Sequence, residues 1–435
     1  MEKLRTEVFE GNHLLDYCPY KEDDPHFMLV GNNCTDGRNM LIPVGEQMLS
    51  RHMLLLGGIG TGKSNAFNFL IRNVLHDKTD NDVVIIFDTK GDFYQEFYQP
   101  GDIVISNDER ACGTDGPDYW NVFNEVMVDE RVEENILEIA KTVFADKIEN
   151  TSQPFFPNAA KDLFSAILLH IVRRDRLESR RNNLALRKIF NTFSVPAMKK
   201  ILDSHPDLKA MRSYIEDEQS GQTMGVVSEL QQAVREIFVG NFAQEGTLSM
   251  RQLVRRKKGQ VIFIEYDLGL GSILTPIYKL LIDLSIKEAL CRTSNEGNVY
   301  FFIDEFRLLP HLEHIDDGVN FGRSLGAKFF FGIQNIDQIA DAYGVNLAHS
   351  ILSGFGTNIS FRVNDAESRE FIKNLYGKNI KMTAFVSSVS GRGINEQIRE
   401  GYVVEDQDIT RLQTGQAIIG APGCEPFRFQ FRRYQ

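Results

Sequence analysis

The run Leu54-Leu55-Leu56-Gly57-Gly58-Ile59-Gly60-Thr61-Gly62-Lys63-Ser64 sets glycines, one lysine and one hydroxyl directly behind an apolar stretch. The spacing is GxxxxGK[ST]. Glycines leave backbone N–H groups bare, so an anion can rest against them. The following NAFNFLIRNVL predicts a helix, whose N-terminus adds about half a positive charge. Lys63 then reaches the β- and γ-phosphates of ATP, and the Ser64 hydroxyl ligates Mg²⁺. Gly57, Gly58, Gly60, Thr61, Gly62, Lys63 and Ser64 form the expected nucleotide-binding set. A glycine-rich turn with a surface lysine is the alternative, and a strand before with a helix after argues against it.

Three further strand ends carry groups of matching chemistry. Val299-Tyr300-Phe301-Phe302-Ile303 stops at Asp304-Glu305. There Asp304 is expected to hold Mg²⁺ through water and Glu305 to polarise the attacking water as general base. An acidic strand-to-helix cap is the plainer reading. Asp88-Thr89-Lys90-Gly91-Asp92 ends a second run; Asp88 and Lys90 face the nucleotide or simply build a βα turn. Gln334 closes FFFGIQ and suits a γ-phosphate sensor, with a cap for the helix NIDQIADAYG as the alternative.

The elements that must position these groups are legible as alternating runs. HMLLLG, VVIIFD, IVIS, VIFIEY, VYFFID and KFFFGIQ are apolar throughout, as strands buried on both faces are. Helical stretches separate them, so the class is α/β with a mostly parallel twisted sheet. One such helix spans Ser272 to Leu290, with Ile273, Leu274, Ile277, Leu280, Leu281 and Leu284 on one apolar face. Between Trp120 and Met250 the strand signal stops, and the sequence reads as an inserted all-α domain. The expected division is a lead-in at 1–50, the first motor segment at 51–125, the insertion at 126–247 and the second motor segment at 248–435. GQAIIGAPG and EPFRFQFRR near the end read as two edge strands.

The 435 residues carry a net charge of −12, which excludes a uniformly basic surface but not a local basic lining. Residues 151–200 hold ten basic and three acidic side chains, so the rest of the chain carries −19. The cluster RRDRLESRR within them is suited to DNA phosphates, to an acidic partner or simply to a solvated helix end. Arg255-Arg256-Lys257-Lys258 reads as a second basic helix end. The five cysteines are scattered without a CxxC pair, so neither a zinc site nor a disulfide framework is expected. His311 and His314 lack further ligands for a metal. No stretch reads as a signal core or membrane span, and a cytoplasmic location is expected.

In this order the motifs resemble the TraD/TrwB class of type IV secretion coupling proteins, P-loop motors of the wider FtsK/HerA group. RNMLIPVGEQMLSRHMLLLGGIGTGKS is similar to the family's entry strand and cradle, and VVIIFDTKGDF to its second strand. Tyr119-Trp120-Asn121-Val122-Phe123 is similar to its Asn-Pro-Phe step, with Val122 at the proline position. PFFPNAAKDLFSAIL, GTLSMRQLVRRKKGQVIFIEY, FFIDEF, FGRSLGAKFFFGIQNIDQIADAYG and TNISFRVND follow in family order. The resemblance implies a RecA-like ATPase, a homo-hexamer that is monomeric without DNA. It implies DNA as partner, single-stranded or relaxase-bound, with a relaxase and secretion-channel proteins beside it. Arg323 takes the place of an arginine offered to the neighbouring subunit's nucleotide, and Arg362 is a weaker candidate for the same rim. Family members usually begin with membrane helices, so docking on a membrane partner at the inner membrane is one expectation. A HerA-like DNA translocase for processing or defence is a second, and a nucleotide-gated adaptor with little hydrolysis a third.

Overall fold

Apolar runs without polar alternation become the fully buried strands of the sheet. In chain order the strands are β1 (Lys3–Glu10), β2 (Phe27–Asn32), β3 (Asn39–Val44), β4 (Met53–Leu56), β5 (Val83–Asp88), β6 (Ile103–Ile105), β7 (Gln260–Glu265), β8 (Val299–Ile303), β9 (Ala327–Ile333), β10 (Thr357–Ser360), β11 (Lys378–Val386), β12 (Ile394–Tyr402), β13 (Gln416–Gly420) and β14 (Phe427–Phe431). The structure is a computed structural model and describes residues 3–107, 112, 113, 116, 118–192, 194–291, 297–386 and 394–435. The chain divides into two units. The first is Met1–Thr79, Thr293–Pro310 and Asp316–Gln435; the second is Asp80–Arg292 and His311–Ile315.

In the first unit, eight strands run in the order β3-β2-β14-β13-β10-β4-β9-β8, and β1-β11-β12 form a separate sheet. β10, β4, β9 and β8 are mutually parallel. Leu56 of β4 pairs with Ser360 of β10 and Ile333 of β9, and Ile303 of β8 pairs with Phe331 of β9. Parallel pairing in this register brings the residues after each strand to one rim, where ligands of open α/β sheets bind. The phenylalanine-rich β8 and β9 lock together by stacking: Phe302 on Phe330 at 4.3 Å and Phe301 on Phe329 at 4.9 Å between ring centres. Each such pair contributes about 0.5–1.5 kcal/mol beyond area burial. Gly332 interrupts the β9 run because a Cβ there would meet the Asp304 carbonyl oxygen at 2.1 Å.

β13 and β14 are not edge strands as the sequence suggested. β13 lies between β10 and β14, and β14 between β13 and β2. The hairpin Phe27–Val44 supplies the outer strands, and the apolar residues of β13 are buried accordingly.

In the second unit, β5, β7 and β6 pair in parallel in the order β5-β7-β6. Between Ile105 and Gln260 the described residues form helices and no strand, including Val132–Glu149, Phe155–Val172 and Gly221–Ile237. Chain entry and exit of this run are clasped together: Leu248 N–H donates to the Tyr119 carbonyl at 3.1 Å and Asn121 N–H to the Leu248 carbonyl at 2.9 Å. Glu125 is fully buried beneath them and accepts from Trp120 Nε1 at 2.9 Å and Ser249 Oγ at 2.8 Å. The helix Phe155–Val172 corrects one expectation, since by length and composition it could cross a membrane; 61% of that window is buried here. The helix expected from Ser272 starts at Gly271, and Ile273, placed on its apolar face above, is 46% exposed.

His52, just ahead of β4, gives the first unit a pH-sensitive joint. Its Nδ1 accepts from the Phe329 amide at 3.2 Å and its Nε2 donates to the Val319 carbonyl at 3.1 Å, so both nitrogens of the neutral ring are used. Burial pushes its pKa down to about 4. The unfolded chain takes up this proton below about 6.5, whereas the folded chain resists until about 4. Stability is therefore complete above that upper value and declines as pH falls toward 4, by about 3 kcal/mol from this group. Urea unfolding across this range should show a flatter pH slope for His52→Phe than for wild type. An equal slope would remove His52 from the account.

Candidate nucleotide site

The site is built where β4, β8 and β9 end. After Leu56 the chain turns through Gly57–Gly62 and enters the helix Lys63–Asp77, which buries Ala66, Phe67, Leu70, Ile71 and Val74. Gly62 caps it at φ 115°, and a Cβ there would meet the Gly415 backbone at 2.9 Å. Among the described residues, the amide N–H groups of Ile59, Gly60, Thr61 and Gly62 meet no acceptor. Four consecutive amide donors without acceptors are the groups an anion would need at such a loop. Lys63 is buried to 8% exposure and its Nζ donates to the Gly57 carbonyl at 2.5 Å. Its ammonium is thus held at the mouth of the loop.

The rim groups expected from sequence converge on this loop. Ser64 Oγ donates to Asp304 Oδ2 at 3.4 Å, so a hydroxyl and a buried carboxylate from elements 240 residues apart share one point. That oxygen pair fits a hard divalent cation. Gln334 Nε2 donates to Glu305 Oε2 at 2.5 Å, which joins the expected sensor to the expected base. The other carboxylate oxygen, Oε1, accepts from Arg307 Nε at 3.0 Å. Arg307 was not anticipated: it lies two residues beyond Glu305 on the short turn Phe306–Leu308, and no sequence pattern folds it back.

The remaining candidates have other surroundings. Arg323 sits exposed on the turn Gly322–Leu325, and its side chain makes no hydrogen bond or ion pair among the described residues. Arg362 Nη1 donates to the Leu412 carbonyl at 3.4 Å, and its own carbonyl accepts from Gly58 N–H at 2.9 Å. Asp88 and Lys90 belong to the second unit. Asp88 accepts from the amides of Lys90, Gly91, Phe93 and Tyr94 at 2.8–3.1 Å and so builds the βα turn. Burial pushes its carboxyl upward against those four donors. Lys90 is exposed and lines a cavity of about 460 Å³ with Glu265, Tyr266 and Asp267. His314 donates from its backbone amide to Asp283 at 2.9 Å and pairs its ring with the same carboxylate. Arg255 is tied to Glu288 at 2.5 Å and Asp129 at 2.7 Å.

The family described as the type IV secretion-system coupling protein DNA-binding domain matches residues 40–428. Coupling protein TraD of Escherichia coli (strain K12) is 22% identical over 411 residues, covering 90% of this chain and 54% of TraD. The coupling protein VirD4 of Bartonella henselae is 22% identical over 320 residues, covering 68% of this chain and 49% of VirD4. The chain thus spans about half the length of the curated relatives it matches. The bacterial conjugative coupling protein TrwBdeltaN70, in its unbound form, shares the fold with a TM-score of 0.74 at 18% identity, covering 100% of this chain and 94% of that one. TrwB in complex with the ATP analogue ADPNP gives 0.72 at 18% identity, covering 100% and 95%. With the family matched across nearly its whole length, the chain belongs to the type IV secretion-system coupling protein DNA-binding domain family.

Proposed function

We propose that this chain is an ATP-hydrolysing, DNA-binding motor that recruits or translocates DNA in conjugative type IV secretion. The observation that carries the reading is the row of four acceptor-less amides at Ile59–Gly62, flanked by Lys63 and by the Ser64–Asp304 pair. TrwB, whose fold it shares, has been solved with ADPNP and with ADP and Mg²⁺, which supports ATP and Mg²⁺ here. In this reading 126–247 is an all-α insertion between motor segments 51–125 and 248–435.

The loop amides bind the phosphate oxygens, and Lys63 leaves the Gly57 carbonyl to neutralise the terminal phosphates. Ser64 and Asp304 are the residues that would hold Mg²⁺, which when bound draws charge from the phosphate oxygens. Glu305 takes a proton from the attacking water at its carboxylate. Gln334, bonded to that carboxylate, orients the base and is placed to sense loss of the terminal phosphate. Arg323, whose side chain makes no hydrogen bond or ion pair among the described residues, is offered to the nucleotide of a second copy, so that hydrolysis depends on assembly into a ring. The protein works on the cytoplasmic side, at the secretion channel.

The test is ATPase rate against DNA and against protein concentration. The rate should rise with both, and Arg323→Ala should abolish the dependence on protein concentration. A rate flat in both would leave a nucleotide-gated adaptor instead.

A further inference from the structure

We infer that the segment Gln413–Gly415, which precedes β13, is the outer wall of the phosphate cradle, and that Thr414 and Gly415 are positioning residues for nucleotide binding. The inference rests on the nucleotide reading above.

The physical reason lies in the peptide unit. In a trans peptide, the carbonyl of one residue and the N–H of the next point in opposite directions. A donor that fixes the carbonyl therefore also aims the N–H. Gly415 N–H donates to the Thr61 carbonyl at 2.8 Å, which turns the Gly62 N–H the other way. Thr414 Oγ1 donates to the Gly60 carbonyl at 3.5 Å, which does the same for the Thr61 N–H. Within the loop, Thr61 Oγ1 donates to the Gly58 carbonyl at 2.8 Å and aims the Ile59 N–H. Three of the four acceptor-less amides are thus oriented from behind, two of them by residues more than 350 positions away in sequence.

The wall is itself anchored. The Gly415 carbonyl accepts from Phe431 N–H at 2.8 Å, and Gln430 Nε2 donates to the Thr414 carbonyl at 3.4 Å. Both anchors lie on β14. The fit is close on each side. Gly62 cannot carry a Cβ because Gly415 is there, and Gly415, at φ 81°, cannot carry one without displacing Gln430 Nε2, which would lie 2.7 Å away. The backbone of residue 415 thus fills the space a Cβ on Gly62 would take, and its own positive φ favours glycine there.

The test uses the full chain and a non-hydrolysable ATP analogue with Mg²⁺. Gly415→Asn keeps a residue type that tolerates positive φ but forces the wall off its anchor at Gln430, and should weaken analogue binding about tenfold. Thr414→Val should weaken it about threefold, and Thr414→Ser, which keeps the hydroxyl, should restore it. KM for ATP should rise in step while kcat stays within about twofold, because ground state and transition state use these amides alike. Melting without nucleotide should shift by less than about 3 °C. Affinities within about twofold of wild type for both Gly415→Asn and Thr414→Val would overturn the inference. So would an affinity loss that Thr414→Ser fails to restore. If the wild-type chain binds no analogue, it is the nucleotide reading that fails, and the two failures are distinct.

Discussion

Glu305→Gln should retain binding of an ATP analogue within about threefold and lose turnover by roughly 10²–10⁴-fold, the usual scale for a general base. The side chain is held at both oxygens, by Gln334 Nε2 at 2.5 Å and Arg307 Nε at 3.0 Å, and is only 14% exposed. A glutamine is the same shape and keeps one acceptor oxygen for one of these donors, so the rim stays formed. It has no carboxylate to take a proton from water. Analogue titration beside a phosphate-release assay separates the two effects. Turnover at the wild-type rate would place water activation on another residue and return Glu305 to the role of an acidic strand cap.

The cradle and its partners differ in how far they could be read from sequence. The GxxxxGK[ST] spacing is local, and its glycines follow from backbone geometry within a dozen residues. Asp304, Glu305 and Gln334 were legible because each ends an apolar run, and parallel strands deliver their ends to one rim. Arg307 was not, because its approach to Glu305 depends on a short turn that leaves no periodicity. Asp88 carries the residue type of a site, yet its oxygens accept four amides of the turn it sits in; sequence left both readings open. The wall at Thr414 and Gly415 has no local signal at all, since its partners are Gly60 and Thr61. The interior places of β13 and β14 were missed for a related reason. β14 is covered by β2, nearly 400 residues earlier, and β13 in turn lies between β10 and β14, which alternation alone cannot report.

Lys63→Ala should weaken nucleotide binding by roughly 100-fold, about 2.7 kcal/mol, in the range of a lost charge-assisted contact. The lysine is buried at the loop mouth with its Nζ on the Gly57 carbonyl, so its ammonium waits beside the loop and has only to turn onto the phosphates when nucleotide arrives. The four amides at Ile59–Gly62 remain in the variant, which is why binding falls without vanishing. The same change should leave the fold intact, since alanine suits the first turn of a helix. Everything proposed for this chain depends on that loop holding a triphosphate. Calorimetric titration of a non-hydrolysable ATP analogue with Mg²⁺ into wild type and Lys63→Ala measures it directly. The account predicts saturable one-site binding that the substitution weakens by about two orders of magnitude; equal affinity in the two proteins would contradict it.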